Sequence, residues 1–259
     1  MKYLVKYVLS VSLFIGLSIT SMFSSVCFAT EESNSNQETK TIEEIDSILR
    51  NAGTPEDKLA AMDDETKLFI YQNSGEDIEY IEVKEEPKLA TYSNSQIPPE
   101  ELVISVNAYK NGNNVDIYPK YQWMVPVKPR GKDYFGYYTS TSYSVVPNVR
   151  QNTIWATFPT PVRWEISSAG YAGSSLYGYE HRGVDLGSPD SPLYIKGNFY
   201  FQVNTLTSNP DKKISIAYVH DLSSSSSLSY GLSVGPFGFS VTPSSSKVRY
   251  STNVYQLVY

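Results

Sequence analysis

The chain has 259 residues, with 21 Lys and Arg against 27 Asp and Glu, a formal net charge of −6 and a single cysteine. An acidic chain repels phosphate, which argues against nucleic acid as a partner, and one cysteine cannot build an internal disulfide framework. Twenty-two tyrosines beside 10 Phe and 3 Trp, among many Ser, Asn, Gly and Pro, favour short strands joined by polar turns.

Residues 1–29 read as a signal peptide. Lys2 and Lys6 give a basic start, Val8 to Phe23 an apolar run, and Cys27-Phe28-Ala29 a cleavage site with small residues at −3 and −1. The run of about 16 residues is broken by Ser10, Ser12, Ser18, Thr20 and Ser21, short of the ~20 a membrane helix needs. Ser24 and Val26 are the wrong neighbours for a lipid on Cys27, so a freely released protein beginning at Thr30 is expected. Cleavage removes Cys27, Lys2 and Lys6, leaving a secreted, cysteine-free and more acidic mature chain with no transmembrane anchor. About 230 residues remain, enough for one core held by hydrophobic burial.

Residues 30–40 are polar throughout and read as a disordered lead-in. A small helical segment with one strand is expected over 41–84. Thr41-Ile42-Glu43-Glu44 forms a capping box, and Ile42, Ile45, Ile48 and Leu49 follow at helical spacing up to Gly53. Thr54-Pro55 restarts a helix, with Thr54 as N-cap and Pro55 at the first helical position; it carries Leu59 and Met62. Asp63 caps a third helix through Leu68, Phe69 and Tyr71 that ends at Asn73-Ser74-Gly75, and Ile78 to Val83 follows as a strand. The segment GTPEDKLAAMDDETKLFIYQNSG resembles one found in exported proteins of unknown function from Gram-positive, spore-forming bacteria, which implies export and no particular activity.

Residues 85–100 mix charge, Ser and Pro and read as a linker. From residue 101 to 259 the period changes to two. Leu102, Ile104, Val106 and Ala108 alternate with polar residues, Asn111-Gly112 offers a tight turn, and Val115 and Ile117 return. Further strands are expected over 121–127, 134–146, 153–158, 163–167, 193–203, 213–219, 228–234, 237–241 and 248–259, with most prolines at their ends. The fold class is therefore mainly β: an antiparallel β-sandwich preceded by a small helical segment.

The only histidines are His181 and His220. Tyr179-Glu180-His181-Arg182-Gly183-Val184-Asp185-Leu186, with Pro189 and Ser191-Pro192-Leu193-Tyr194 after it, resembles the His-x-Gly-x-Asp segment of lysostaphin-like zinc endopeptidases; Tyr218-Val219-His220 resembles their Tyr-x-His. The resemblance implies zinc held by His181 and Asp185, with His220 available as a substitute third ligand, in an enzyme that cuts bacterial cell-wall cross-links. The chain departs from that family by having no His-x-His, the source of its third ligand and base.

From Ser227 to Thr242, Ser or Gly alternates with an apolar residue across Gly235-Pro236. Membrane-inserting hairpins alternate in the same way, but arms of about seven residues fall short of the ~9–11 a spanning strand needs, and a two-faced hairpin covering the sandwich core is expected. Asn111, Asn113, Asn114 and Asp116 could gather oxygens round calcium or simply build a turn. Trp123, Trp155 and Trp164 are expected in the core. The first reading of function is a secreted, non-enzymatic binding protein without a cofactor, whose partner is an extracellular protein, glycan or cell-surface component. The alternatives are a zinc-dependent cell-wall endopeptidase and a membrane-active β-hairpin protein.

Overall fold

A computed structural model describes residues 40–87, 95–127, 133–157, 163–166, 171–175, 178–182, 192–206, 211–223, 230–235 and 238–259. The proposed signal peptide and all of the lead-in but Lys40 lie outside these. Residues 40–259 form one compact unit.

Helix α1 (Ile42–Asn51) begins with the reciprocal cap the sequence predicts: Thr41 Oγ1 accepts from the Glu44 N–H, and the Glu44 carboxylate accepts from the Thr41 N–H. For α2 (Glu56–Ala61) the expectation shifts by one residue. Pro55 is the N-cap and makes no side-chain cap, because the Thr54 hydroxyl is instead 3.2 Å from Tyr109 Oη. Asp63 caps α3 (Asp64–Ser74) by accepting from the Thr66 N–H, and Gly75, at φ +75°, ends it in a conformation that side chains resist.

The expected strand at 78–83 is two strands in two sheets. Strands β1 (Glu79–Tyr80) and β2 (Glu82–Glu85) are separated by Ile81, where the chain crosses from one layer to the other. The expected linker is partly built into the fold: Glu85 belongs to β2, and Ile97, 3 % exposed, joins the core with its N–H on the Tyr250 carbonyl.

Strands β3 (Leu102–Asn111), β4 (Asn114–Trp123), β5 (Tyr134–Thr139), β6 (Tyr143–Thr157), β7 (Arg163–Ile166), β8 (Tyr171–Ser175) and β9 (Gly178–Arg182) follow. They are succeeded by β10 (Tyr194–Thr205), β11 (Lys213–Asp221), β12 (Tyr230–Gly235), β13 (Gly238–Pro243) and β14 (Val248–Val258). The first sheet runs β1-β3-β4-β10-β6-β7 and the second β2-β14-β11-β5-β9-β8, with antiparallel neighbours throughout. The mainly-β sandwich with a helical segment before it is the fold of the chain. No helix among the described residues is long and apolar enough to cross a membrane.

Two differences from the sequence expectation have clear causes. The run 134–146 is cut by a turn in which the Tyr143 N–H meets the Ser140 carbonyl, sending β5 and β6 into different sheets. Conversely, Pro119 does not end a strand: β4 runs through it, and the pairing with β10 lapses between Ile117 and Lys120, where proline has no N–H to give.

The interior is aromatic. Phe199 and Phe201 of β10 meet Phe135 and Tyr137 of β5, with ring centroids 4.4 Å apart for Phe135–Phe199 and 4.7 Å for Tyr137–Phe201. Gly197 is needed here, since a Cβ on it would lie 2.6 Å from the Tyr121 ring. Trp123 is in this core as expected, whereas Trp155 is buried on the outer face of the first sheet, with Lys196 Nζ 5.5 Å from its ring centroid; the side chain of Trp164 lies outside the described residues. The helices pack on the outer face of the first sheet, around Tyr109, Tyr118 and Tyr200. The hairpin β12–β13 is two-faced as expected, but it covers the outer face of the second sheet rather than the core between the sheets. Leu232 and Val241 lie half-buried against a cluster that includes Ala217, Val219 and Val248, while Gly231, Ser233, Ser240 and Thr242 are exposed.

Candidate functional site

Alternation along β11 turns Ile214, Ile216, Tyr218 and His220 toward the interior, so His220 is 3 % exposed. Its Nδ1 stands 2.8 and 3.0 Å from the two carboxylate oxygens of Asp133, the residue before β5. Asp133 is fully buried and also accepts from Tyr218 Oη at 3.0 Å and from the Asp221 N–H at 3.3 Å. Burial pushes the Asp133 carboxyl up, opposed by His220, Tyr218 and the Asp221 N–H. Beside this group, Arg249, the register partner of His220, reaches across the sandwich to both oxygens of Glu101 at 2.7 and 3.0 Å, and its guanidinium holds that carboxyl low. The cluster thus ties the ends of the two sheets together.

His181, on β9, is fully buried; its Nε2 lies 3.0 Å from Tyr137 Oη, and its ring centroid lies 4.7 Å from that of Phe199. Both histidines belong to the second sheet, where His181 pairs with Phe135, which pairs in turn with Tyr218. Two strand spacings and two residues separate the histidines, roughly 12 Å between Cα atoms. The third residue of the proposed zinc set, Asp185, lies outside the described residues. Among the described residues no three His, Cys, Asp or Glu side chains gather to hold a metal ion. Asp116, one of the calcium candidates, is buried and accepts from Asn111, Tyr200 and Gln202 at 2.7, 3.1 and 2.8 Å, and from Ser74. Its oxygens join helix α3 to the first sheet.

An open groove lies elsewhere. A groove of about 220 Å³ runs between α2 and the outer face of the β3–β4 pair. Val106 and its even-numbered neighbours face the core, so Ser105 and Asn107 of β3 face outward beside Lys120 and Gln122 of β4, with Met62 and Tyr80 as walls. Lys120 Nζ is already held, 3.0 Å from both Asp63 Oδ2 and Thr66 Oγ1, and burial draws its pKa down against the pull of Asp63. The side chains of Ser105, Asn107 and Gln122 have no hydrogen-bond partner among the described residues.

The groove also contains backbone. On the free edge of β3, the Ala108 carbonyl accepts from the Ile81 N–H and the Ile104 carbonyl from Tyr255 Oη at 2.6 Å. Residues two apart present their backbone groups to the same side, so Val106 turns its N–H and C=O to this edge. Beside Val106 no described strand is paired, because β1 covers only Tyr109 and Lys110. Sequence reasoning identified the alternation that points Ser105 and Asn107 outward but not the groove, which exists only because α2 docks over that face.

No protein-family model matches the chain, and no curated protein does. Among solved structures, Clostridium perfringens delta-toxin is similar at 8 % identity and TM-score 0.33, over 70 % of this chain and 94 % of that one. A pore forming protein follows at 5 % and 0.33, over 70 % and 95 %. The pilus backbone of Streptococcus pneumoniae is similar at 8 % and 0.29, over 69 % and 82 %. None of these reaches the level of a shared family.

Proposed function

We propose that this chain is a secreted, non-enzymatic binding protein that attaches to a component of the bacterial cell surface. One observation carries the reading: the groove between α2 and the β3–β4 pair collects polar side chains that have no partner among the described residues, whereas both imidazoles are sealed in the sandwich with hydrogen-bonding neighbours. A polar group left with room around it is free to exchange water for a ligand.

The test mixes purified processed protein with sedimented bacterial cell walls. The expected result is that the protein pellets with the walls, with and without a zinc chelator, and liberates no soluble fragments. Zinc-dependent release of fragments, lost on His181→Ala, would instead establish the endopeptidase reading. Protein left wholly in the supernatant would overturn binding.

A further inference from the structure

We propose that the groove beside Val106 binds one ring of an acetamido saccharide, an inference that rests on the binding reading above and gives its ligand a chemical class. Four features of the groove converge on it.

Size comes first. About 220 Å³ lies below the ~300–1,000 Å³ typical of sites for drug-sized ligands, which suits a single sugar ring. Charge comes second. Lys120 is already paired with Asp63, so the floor of the groove is close to neutral, and Lys58 stands exposed at its margin.

The third feature is the set of donors and acceptors. Asn107 and Gln122 each offer one carbonyl and one NH₂, and Ser105 a hydroxyl, a combination that matches ring hydroxyls able both to give and to accept. Met62 and Tyr80 supply the apolar walls on which the C–H face of a sugar and the methyl of an acetyl group can rest.

The fourth feature separates a sugar from a peptide. An extended peptide adding to a sheet edge needs a run of open backbone groups. Here the run of open acceptors is broken, because the Ala108 and Ile104 carbonyls on either side of Val106 already accept from Ile81 and Tyr255. The N–H and lone open C=O of Val106, side by side, instead complement the C=O and N–H of an acetamido group.

The test titrates N-acetylglucosamine, and separately glucose, into the isotope-labelled processed protein and follows amide chemical shifts. Saturable shifts are expected at the Val106 N–H and the Asn107 and Gln122 side-chain amides, with glucose at least tenfold weaker. Gln122→Ala and Asn107→Ala should each weaken binding about tenfold, and Ser105→Trp should abolish it by filling the groove. All three positions are on the outer face, and retained aromatic-core shifts will verify folding. No saturable shift in these groups, or glucose binding as tightly as the acetamido sugar, overturns the proposal. Wall pelleting by Ser105→Trp undiminished from the unsubstituted protein overturns it too, yet leaves the binding reading standing.

Discussion

Asp63 Oδ2 stands 2.6 Å from Lys196 Nζ. The same oxygen is 3.0 Å from Lys120 Nζ, so the residue that caps α3 also bolts the helical segment to two strands of the first sheet.

This bond makes docking sensitive to acid. Burial pushes the Asp63 carboxyl up, but hydrogen bonds from Lys196 and Thr66 and the charge of Lys120 outweigh it and hold the pKa well below the usual range. A depressed folded pKa gives stability that is present above the unfolded value, near pH 4, and fades as pH falls toward the folded one. Asp63→Asn should cost about 2 kcal/mol at pH 7 and progressively less below pH 4. Urea unfolding of both proteins at pH 7 and pH 3 checks this; an equal gap at the two pH values would refute it.

The tyrosines set an alkaline limit. Burial raises Tyr109 to about 12 and lifts Tyr118, Tyr121, Tyr200 and Tyr218 as well. Groups with raised folded pKa values stabilise the protein below their unfolded value, near 10, and that stability is lost as pH rises through the folded ones. Ultraviolet titration should show these phenols resisting ionisation past pH 11, then ionising together as the fold opens.

Gly197 is fixed by space. Gly197→Ala puts a Cβ 2.6 Å from the Tyr121 ring and 2.8 Å from that of Phe199, an overpacking that should cost about 1–3 kcal/mol. Thermal unfolding should show a lowered midpoint with an unchanged far-UV spectrum.

Removing the Asp133 carboxylate should cost more than removing an exposed one. Asp133→Ala leaves Tyr218 Oη and the Asp221 N–H, both buried, without their acceptor and is expected to lose about 3 kcal/mol. Asp133→Asn keeps an oxygen and should lose less; the pair is compared by denaturant midpoint.

Hairpin β12–β13 has arms of six residues each, below the ~9–11 needed to span a bilayer. The purified protein, with or without residues 1–29, should therefore leave dye-loaded vesicles intact. Leakage that vanishes on Leu232→Lys would establish the membrane-active alternative.

Period-two patterning made the strands of the sandwich legible, because each strand has one apolar face, and the capping box of Thr41 and Glu44 is a purely local device. Tertiary pairing was not legible. Nothing near Asp63 announces Lys196, and nothing near His220 announces Asp133, since each contact joins residues far apart in sequence. The division of residues 78–85 between two sheets depends on a partner, β14, at the other end of the chain. The groove escaped notice for the same reason: Ser105 and Gln122 look like ordinary outward residues until a helix lies over them.

That pairing of β2 with β14 has a kinetic consequence. Glu82 waits for Val258, 176 residues downstream, so one margin of the sandwich cannot close until β14 has been made. High contact order of this kind makes folding slow, and the β2 margin should be the last part of the sandwich to gain protection from hydrogen exchange as the chain refolds.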